Sequence, residues 1–267
     1  MAEDSVWLHR FGHFSAFTEL AQGVSGRPGG VSEGQYWSLN IGLGSDDDPE
    51  AISENRRRLA GALGIAADRF VRPYQVHGAE ALVVGREEVE AGLPGPADVP
   101  RRVDVLLTAE PDVFLMMTFA DCVPVLFYDP ARRVVGLVHA GWRGTIAGAP
   151  RRALDLLQKR FGSRLRDVLV GIGPSIGPDH YEVGPEVAAA ARAAFPACEG
   201  LLRPGPRGRE HLDLWRANTY QLVVAGLPPE NLEVAGLCTA CRNDLLFSYR
   251  ASQGRTGFHA AVIGLRA

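Results

Sequence analysis

The stretch Val113–Thr145, VFLMMTFADCVPVLFYDPARRVVGLVHAGWRGT, decides the architecture. It holds three apolar runs, Val113–Phe119, Val123–Tyr128 and Val134–His139, each of strand length and rich in Val, Leu and Phe. Small or turn-forming residues separate them, so strands follow one another here with no helix between. Working outward, Asp104–Thr108 precedes them and Val168–Gly173 follows, with Glu233–Leu237 and Ala260–Leu265 as later strands. Helices are expected at Pro49–Leu63, Thr145–Phe161, Pro185–Phe195 and Leu212–Ala225. In the first, Ile52, Leu59 and Leu63 recur on one face, and Asp48 before Pro49 makes an N-cap with proline just inside. Consecutive strands mixed with helices predict an α+β chain of layered mixed sheets flanked by helices, rather than a regular βαβ repeat.

The 267 residues are 46% hydrophobic and 22% charged, ordinary values for a globular chain. Two Pro/Gly-rich interruptions, Ala91–Arg102 and Arg203–Arg209, are too short for domain linkers, so residues 1–267 are expected to form one domain. A net charge of −3 gives no electrostatic case for nucleic acid or an anionic membrane as partner. Of the 28 basic residues, Lys159 is the only lysine, which excludes chemistry that depends on a placed lysine, such as Walker-A phosphate binding or a Schiff base. No apolar run suits a signal peptide or a membrane span, and four cysteines make no disulfide scaffold. A cytoplasmic protein with reduced thiols is expected.

Three segments set a reactive or metal-competent side chain at a strand end among small residues: Gln75–Gly78 (QVHG), Ala120–Pro124 (ADCVP) and His139–Gly144 (HAGWRG). Two imidazoles and one thiolate, His77, Cys122 and His139, match what zinc prefers. Three protein ligands would leave a fourth tetrahedral position for water or substrate, the catalytic pattern. Satisfied structural residues remain the alternative, since ligands so far apart form no short motif. The glycine-flanked turn after His139 leads into a helix whose N-terminus favours anions. Arg56, Arg143 and Arg250 are candidates to anchor phosphate or carboxylate, whereas Arg57 and Arg58 read as surface or ion-paired residues. Cys238 and Cys241 form a CxxC that reads as two ordinary thiols, with a zinc pair or a redox pair as alternatives. Ser175 lies in a GxSxG pattern, but Pro174 before it removes a backbone donor and no histidine partner is evident.

Taken together, QVHG, DCVPVLFYDP, VVGLVHAGWRGT and IGPSIGPDHYEVG resemble the YfiH-like family, labelled both polyphenol oxidase or laccase domain and purine nucleoside phosphorylase. The likeness continues upstream through GGVSEGQYWSLNIGLGSDDDPEAISENRRRL and downstream through HLDLWRANTYQL, the CT of Cys238-Thr239 and FSYR. It runs from about Gly29 to Leu265.

The resemblance implies zinc on His77, Cys122 and His139, with copper as a substitute. It also implies a single catalytic domain related to the cytotoxic-necrotizing-factor fold. The implied activities are phosphorolysis of adenosine, inosine and methylthioadenosine, and adenosine deamination. Editing of peptidoglycan precursors by amide hydrolysis is the alternative, with copper-dependent polyphenol oxidation the activity the family label suggests. Expected partners are a purine nucleoside and phosphate, acting on a monomer.

Expected roles follow from position. Arg56 and Arg143 would hold phosphate or substrate, Asn40 and Gln75 would orient polar groups, and Arg250 would bind substrate. Asp121 would carry a proton or orient Cys122, and Cys122 would ligate metal or act as nucleophile. In one place the chain departs from the family pattern: Phe258 follows Gly257 where the family has arginine, so Arg255 would have to substitute or the pocket differs. Seven histidines with no HxH pair are too few for the coppers of a three-domain laccase.

Overall fold

The computed structural model describes residues 5–42, 44–87 and 102–267. In chain order its strands begin with β1 (Leu8–His9), β2 (Leu20–Ser25), β3 (Phe70–Val71), β4 (Ala81–Val83), β5 (Val105–Thr108), β6 (Phe114–Phe119) and β7 (Val123–Asp129). They continue with β8 (Val134–Ala140), β9 (Leu169–Ile172), β10 (Glu182–Val183), β11 (Leu202–Pro204), β12 (Glu210–Leu212), β13 (Leu232–Val234) and β14 (His259–Leu265). The helices are α1 (Pro49–Leu63), α2 (Trp142–Ile146), α3 (Ala149–Phe161), α4 (Pro185–Ala194) and α5 (Leu214–Val224).

Three sheets result, ordered β1-β2-β14-β6-β3, β13-β9-β7-β8-β5-β4 and β10-β12-β11. Strand alternation sends each face to a different core. In β6, Leu115, Met117 and Phe119 point between the two large sheets, where Ala261, Ile263 and Leu265 of β14 meet Leu126, Tyr128 and Leu137. Phe114 and Met116 point the other way, onto Leu59, Ala60 and Leu63 of α1. On the far face of the six-stranded sheet, Val123, Val125 and Phe127 pack against Ala153, Leu154 and Leu157 of α3. The layers therefore run helix, sheet, sheet, helix. Leu126 is fully buried in the middle layer, and truncating such a residue to Ala costs about 2–5 kcal/mol.

The sequence reading holds for the central strands and α1, whose Asp48 side chain accepts from Glu50 N as the N-cap. One expected helix is corrected. Thr145–Phe161 is not continuous, because Gly148 sits at φ 80 and divides the stretch into α2 and α3. The five-residue α2 is too short to build the helix dipole on which an N-terminal anion site would depend. Arg203 and Pro204 end β11 and the rest of the segment to Arg209 turns into β12, while Ala91–Arg102 lies, apart from Arg102, outside the described residues. Lys159 is exposed near the end of α3, as expected. Among the described residues no helix is long and apolar enough to cross a membrane.

Candidate metal centre and its cavity

The register of β7 against β8 builds the centre. Pro124 pairs with His139 and Val123 with Ala140, so Cys122, one residue before β7, falls beside the end of β8. The loop carrying His77 closes over both. The ligand atoms of His77, Cys122 and His139 lie within 4.8 Å of one another, and the two imidazoles meet edge to face at 4.8 Å between centroids. The expected trio is thus assembled. Its approach depends on Gly141, where a Cβ would stand 2.9 Å from Cys122 Sγ and 3.3 Å from His77 Cδ2. His77 (φ 62) and Asp121 (φ 91) are both held in the left-handed region, a conformation costing non-glycine residues about 1–3 kcal/mol that the surrounding structure must impose.

Asp104 imposes it at His77. Its fully buried carboxylate accepts from Val76 N (3.1 Å), His77 N (3.0 Å) and Gly78 N (2.7 Å), fixing the whole turn. The same carboxylate lies 2.8 Å from His139 Nδ1, which directs the other ring nitrogen at the shared ligand point. Burial pushes the Asp104 carboxyl up, but His139 and these N–H donors outweigh it and leave it below its usual range. Burial likewise pushes the Cys122 thiol up, and the neighbouring His139 and His77 outweigh it, favouring the thiolate a metal takes. Sequence reading missed Asp104, whose only signal is an acid opening an otherwise apolar strand.

Asp121 is held as firmly. Thr239 Oγ1 (2.6 Å) and Ser248 Oγ (2.7 Å) donate to its Oδ1, and Arg250 N (2.7 Å) donates to Oδ2. These contacts tie the 239–250 loop to the residue before Cys122. Gln75 brackets Thr118, accepting from its N (3.0 Å) and donating to its O (2.9 Å), and so fixes the QVHG segment to β6.

A cavity of about 890 Å³ opens over the trio. Asp121, Gln75, Arg143 and Arg250 line it, along with aromatic rings at Tyr74, Trp142, Tyr181, Tyr249 and Phe258. Arg143 lies over Trp142 at 4.3 Å, and Arg250 donates to the carbonyls of His180 and Glu182. Asn40 does not reach the cavity. It is fully buried and its amide is spent on Ser45, Asp47 and the backbone of Gly42 and Phe258, so its expected place beside substrate is replaced by a structural one. Arg255 is exposed and absent from the lining, whereas Phe258 is part of it. The pocket differs at that position, presenting an apolar ring. Arg57 and Arg58 pair with Glu54, as expected. Ser175 is buried and accepts from Trp215 Nε1, and among the described residues no histidine bonds to it.

Arg56 is absent from the cavity lining and comes near it only through Arg72, a residue the sequence reading did not name. Arg72 lines the cavity, and its charge acts on Arg56. Burial pulls the Arg56 guanidinium down to about 9, with Arg72 adding to it, and pulls Arg72 down to about 10. Both stay charged at neutral pH. The Nε of each is buried without a partner, and among the described residues no carboxylate pairs with either. Arg56 makes one hydrogen bond, from Nη2 to Ile41 O at 2.9 Å. Two partly buried guanidiniums with no carboxylate partner among the described residues could receive an anion.

The chain thus presents a strand-end cluster of His, Cys and His, able to hold a metal ion, beneath an aromatic cavity. It belongs to the family described as multi-copper polyphenol oxidoreductase laccase, the laccase-like YfiH family, which matches residues 21–266. It is 40% identical over 251 residues to purine nucleoside phosphorylase YlmD of Geobacillus stearothermophilus, covering 94% of this chain and 92% of that one. To a purine nucleoside phosphorylase of Deinococcus radiodurans it is 42% identical over 239 residues, 90% of this chain and 87% of the other. The crystal structure of the Geobacillus YlmD superposes with a TM-score of 0.87 at 39% identity, over 95% of this chain and 94% of that one. Bacillus licheniformis YfiH gives 0.90 at 34%, over 98% and 97%. Among the described residues two groups of three donors could hold a metal, which is too few for the several coppers of a three-domain laccase.

Proposed function

We propose that the chain is a metal-dependent purine nucleoside phosphorylase acting on adenosine, inosine and methylthioadenosine, with residues 1–267 as one catalytic domain working as a monomer. The observation that carries this reading is Arg72, a guanidinium in the cavity lining that no carboxylate pairs with among the described residues. Phosphorolysis needs a dianion held next to the nucleoside, and amide hydrolysis does not. The names of the relatives point the same way.

His77, Cys122 and His139 would hold the ion, and one thiolate with two imidazoles suits zinc, with copper as a substitute. Bound there, it would supply Lewis-acid chemistry, which would also serve adenosine deamination. In the phosphorolytic step a phosphate oxygen forms a bond to ribose C1′ as the bond from C1′ to the purine nitrogen breaks. The electron pair leaves with the base, which takes up a proton. Arg72 would hold the phosphate and, with the nearby charge of Arg56, offset its charge as the sugar becomes cationic. Arg143 and Arg250 close the polar end of the cavity. Tyr74, Trp142, Tyr181 and Phe258 provide faces for the purine and exclude water from it. Asp121 positions Cys122 and the 239–250 loop; with three donors on its carboxylate it is a poor proton carrier.

The test is turnover of inosine and adenosine with and without phosphate, with products resolved by chromatography. Hypoxanthine or adenine with ribose 1-phosphate, formed only when phosphate is present, is the expected result. Inosine formed from adenosine would add the deaminase. Base release that ignores phosphate refutes the reading, and metal-replete protein that turns over neither nucleoside moves the activity to cell-wall precursor editing.

A further inference from the structure

A second side-chain cluster lies behind the cavity wall and takes no part in the chemistry above. His180 Nδ1 stands 3.4 Å from Cys241 Sγ and 3.8 Å from Cys238 Sγ, and the three ligand atoms lie within 4.8 Å of one another. A tetrahedral zinc ion with ordinary bond lengths sets sulfur and nitrogen ligands about 3.6 Å apart, close to both values. Cys238 Sγ also receives two backbone N–H groups, from Gly177 at 3.2 Å and from Cys241 at 3.5 Å. Cys238 is buried, while Cys241 and His180 are exposed, so an ion could reach the site from solvent and keep a water on its outer side.

We propose that His180, Cys238 and Cys241 form a second metal site, binding one zinc-like divalent cation independently of the His77–Cys122–His139 centre. The ion would act as a fastener. It would join the 177–181 turn, which ends in the cavity residue Tyr181, to the 238–250 segment, which carries Tyr249 and Arg250. Without it, those two pieces of wall are held by the hydrogen bonds of Arg250 to His180 O and Glu182 O and by the bridge of Ser175 to Cys238. Among the described residues no carboxylate completes the set, so the fourth ligand is water.

The experiment counts metal in reduced protein loaded with Zn²⁺ and desalted, for the wild type and for Cys122→Ser, Cys241→Ser and His180→Gln. The last two change exposed side chains, so the fold is expected to survive. The wild type should retain two ions, and each variant one. With Co²⁺ in place of zinc, Cys122→Ser should still show the near-ultraviolet thiolate charge-transfer band, which Cys241→Ser should weaken. A Cys122→Ser protein that holds no metal overturns the proposal. So do Cys241→Ser and His180→Gln proteins that keep the wild-type count, and a Cys238–Cys241 disulfide that persists under reductant. Because Cys122→Ser removes the first centre, failure of that site and failure of this one read out in different variants.

Discussion

Replacing Arg72 by Met should make the protein more stable and less able to use phosphate. Burial pulls the Arg72 guanidinium from its ordinary value down by between two and three pH units, to about 10. At roughly 1.4 kcal/mol per unit, holding that charge in the apo protein costs on the order of 3 kcal/mol. Methionine keeps an apolar stem of similar reach and removes the cation, so part of that cost returns. A net gain of about 1–2 kcal/mol in phosphate-free buffer is expected, or a few degrees in Tm for a chain of this size. Phosphate acts in the opposite sense. At ten times its dissociation constant it should stabilise the wild type by about 1.4 kcal/mol, and Arg72→Met should lose most of that increment. The kcat/KM for phosphate should fall about 10²-fold, the worth of one charged hydrogen bond near 3 kcal/mol. Urea unfolding across a phosphate series reads both effects. The reasoning fails if the variant is less stable without phosphate and keeps the full phosphate increment.

Three further outcomes follow from the geometry. Asp104→Asn cannot serve His139 and three backbone N–H groups together, so metal affinity should drop about 10–100-fold in chelator competition; unchanged affinity would remove Asp104 from the centre. Gly141→Ala pushes a methyl into Cys122 and His77, and should lower metal content while far-ultraviolet circular dichroism stays as in wild type. His259, fully buried and stacked on Phe119, is pulled down to about 3 by burial. A depressed histidine stays neutral in the fold while the unfolded chain protonates below about 6.5, so stability falls as pH drops from about 6.5 towards 3. His259→Phe should therefore gain on the wild type by about 1.4 kcal/mol for each pH unit in that window, and a gap that stays constant from pH 7.5 to 4.5 would refute it.

The parts of the fold legible in the sequence are those with long apolar runs. β6, β7 and β8 bury both faces, so their composition alone marks them, and the small residues between them mark where side chains can converge. β1, β3, β10 and β11 span two or three residues each and have no period to read. The division at Gly148 was hidden because glycine is tolerated in helices, and only its left-handed φ shows that the chain turns there. His77, Cys122 and His139 could be singled out by residue type, and the resemblance made them a set. Arg56 was legible, but its meaning lay in Arg72, which the fold brings beside it. His180 and the two cysteines are not legible as a set for the same reason: some sixty residues divide them, and nothing local to either segment announces the other.

The position of β14 bears on how the protein is made. Inserted between β2 and β6, it pairs His259 with Phe119 and Val262 with both Gly23 and Met116. Until residues 259–265 leave the ribosome, β2 and β6 have no lateral neighbour in common, and both expose hydrogen-bonding edges flanked by apolar side chains. The strand that leads into Asp121 and Cys122 is then braced on one side only, by two residues of β3. Closure of the five-stranded sheet must be a late event with long loops to pay for, and chains stalled before it would be prone to associate through those edges.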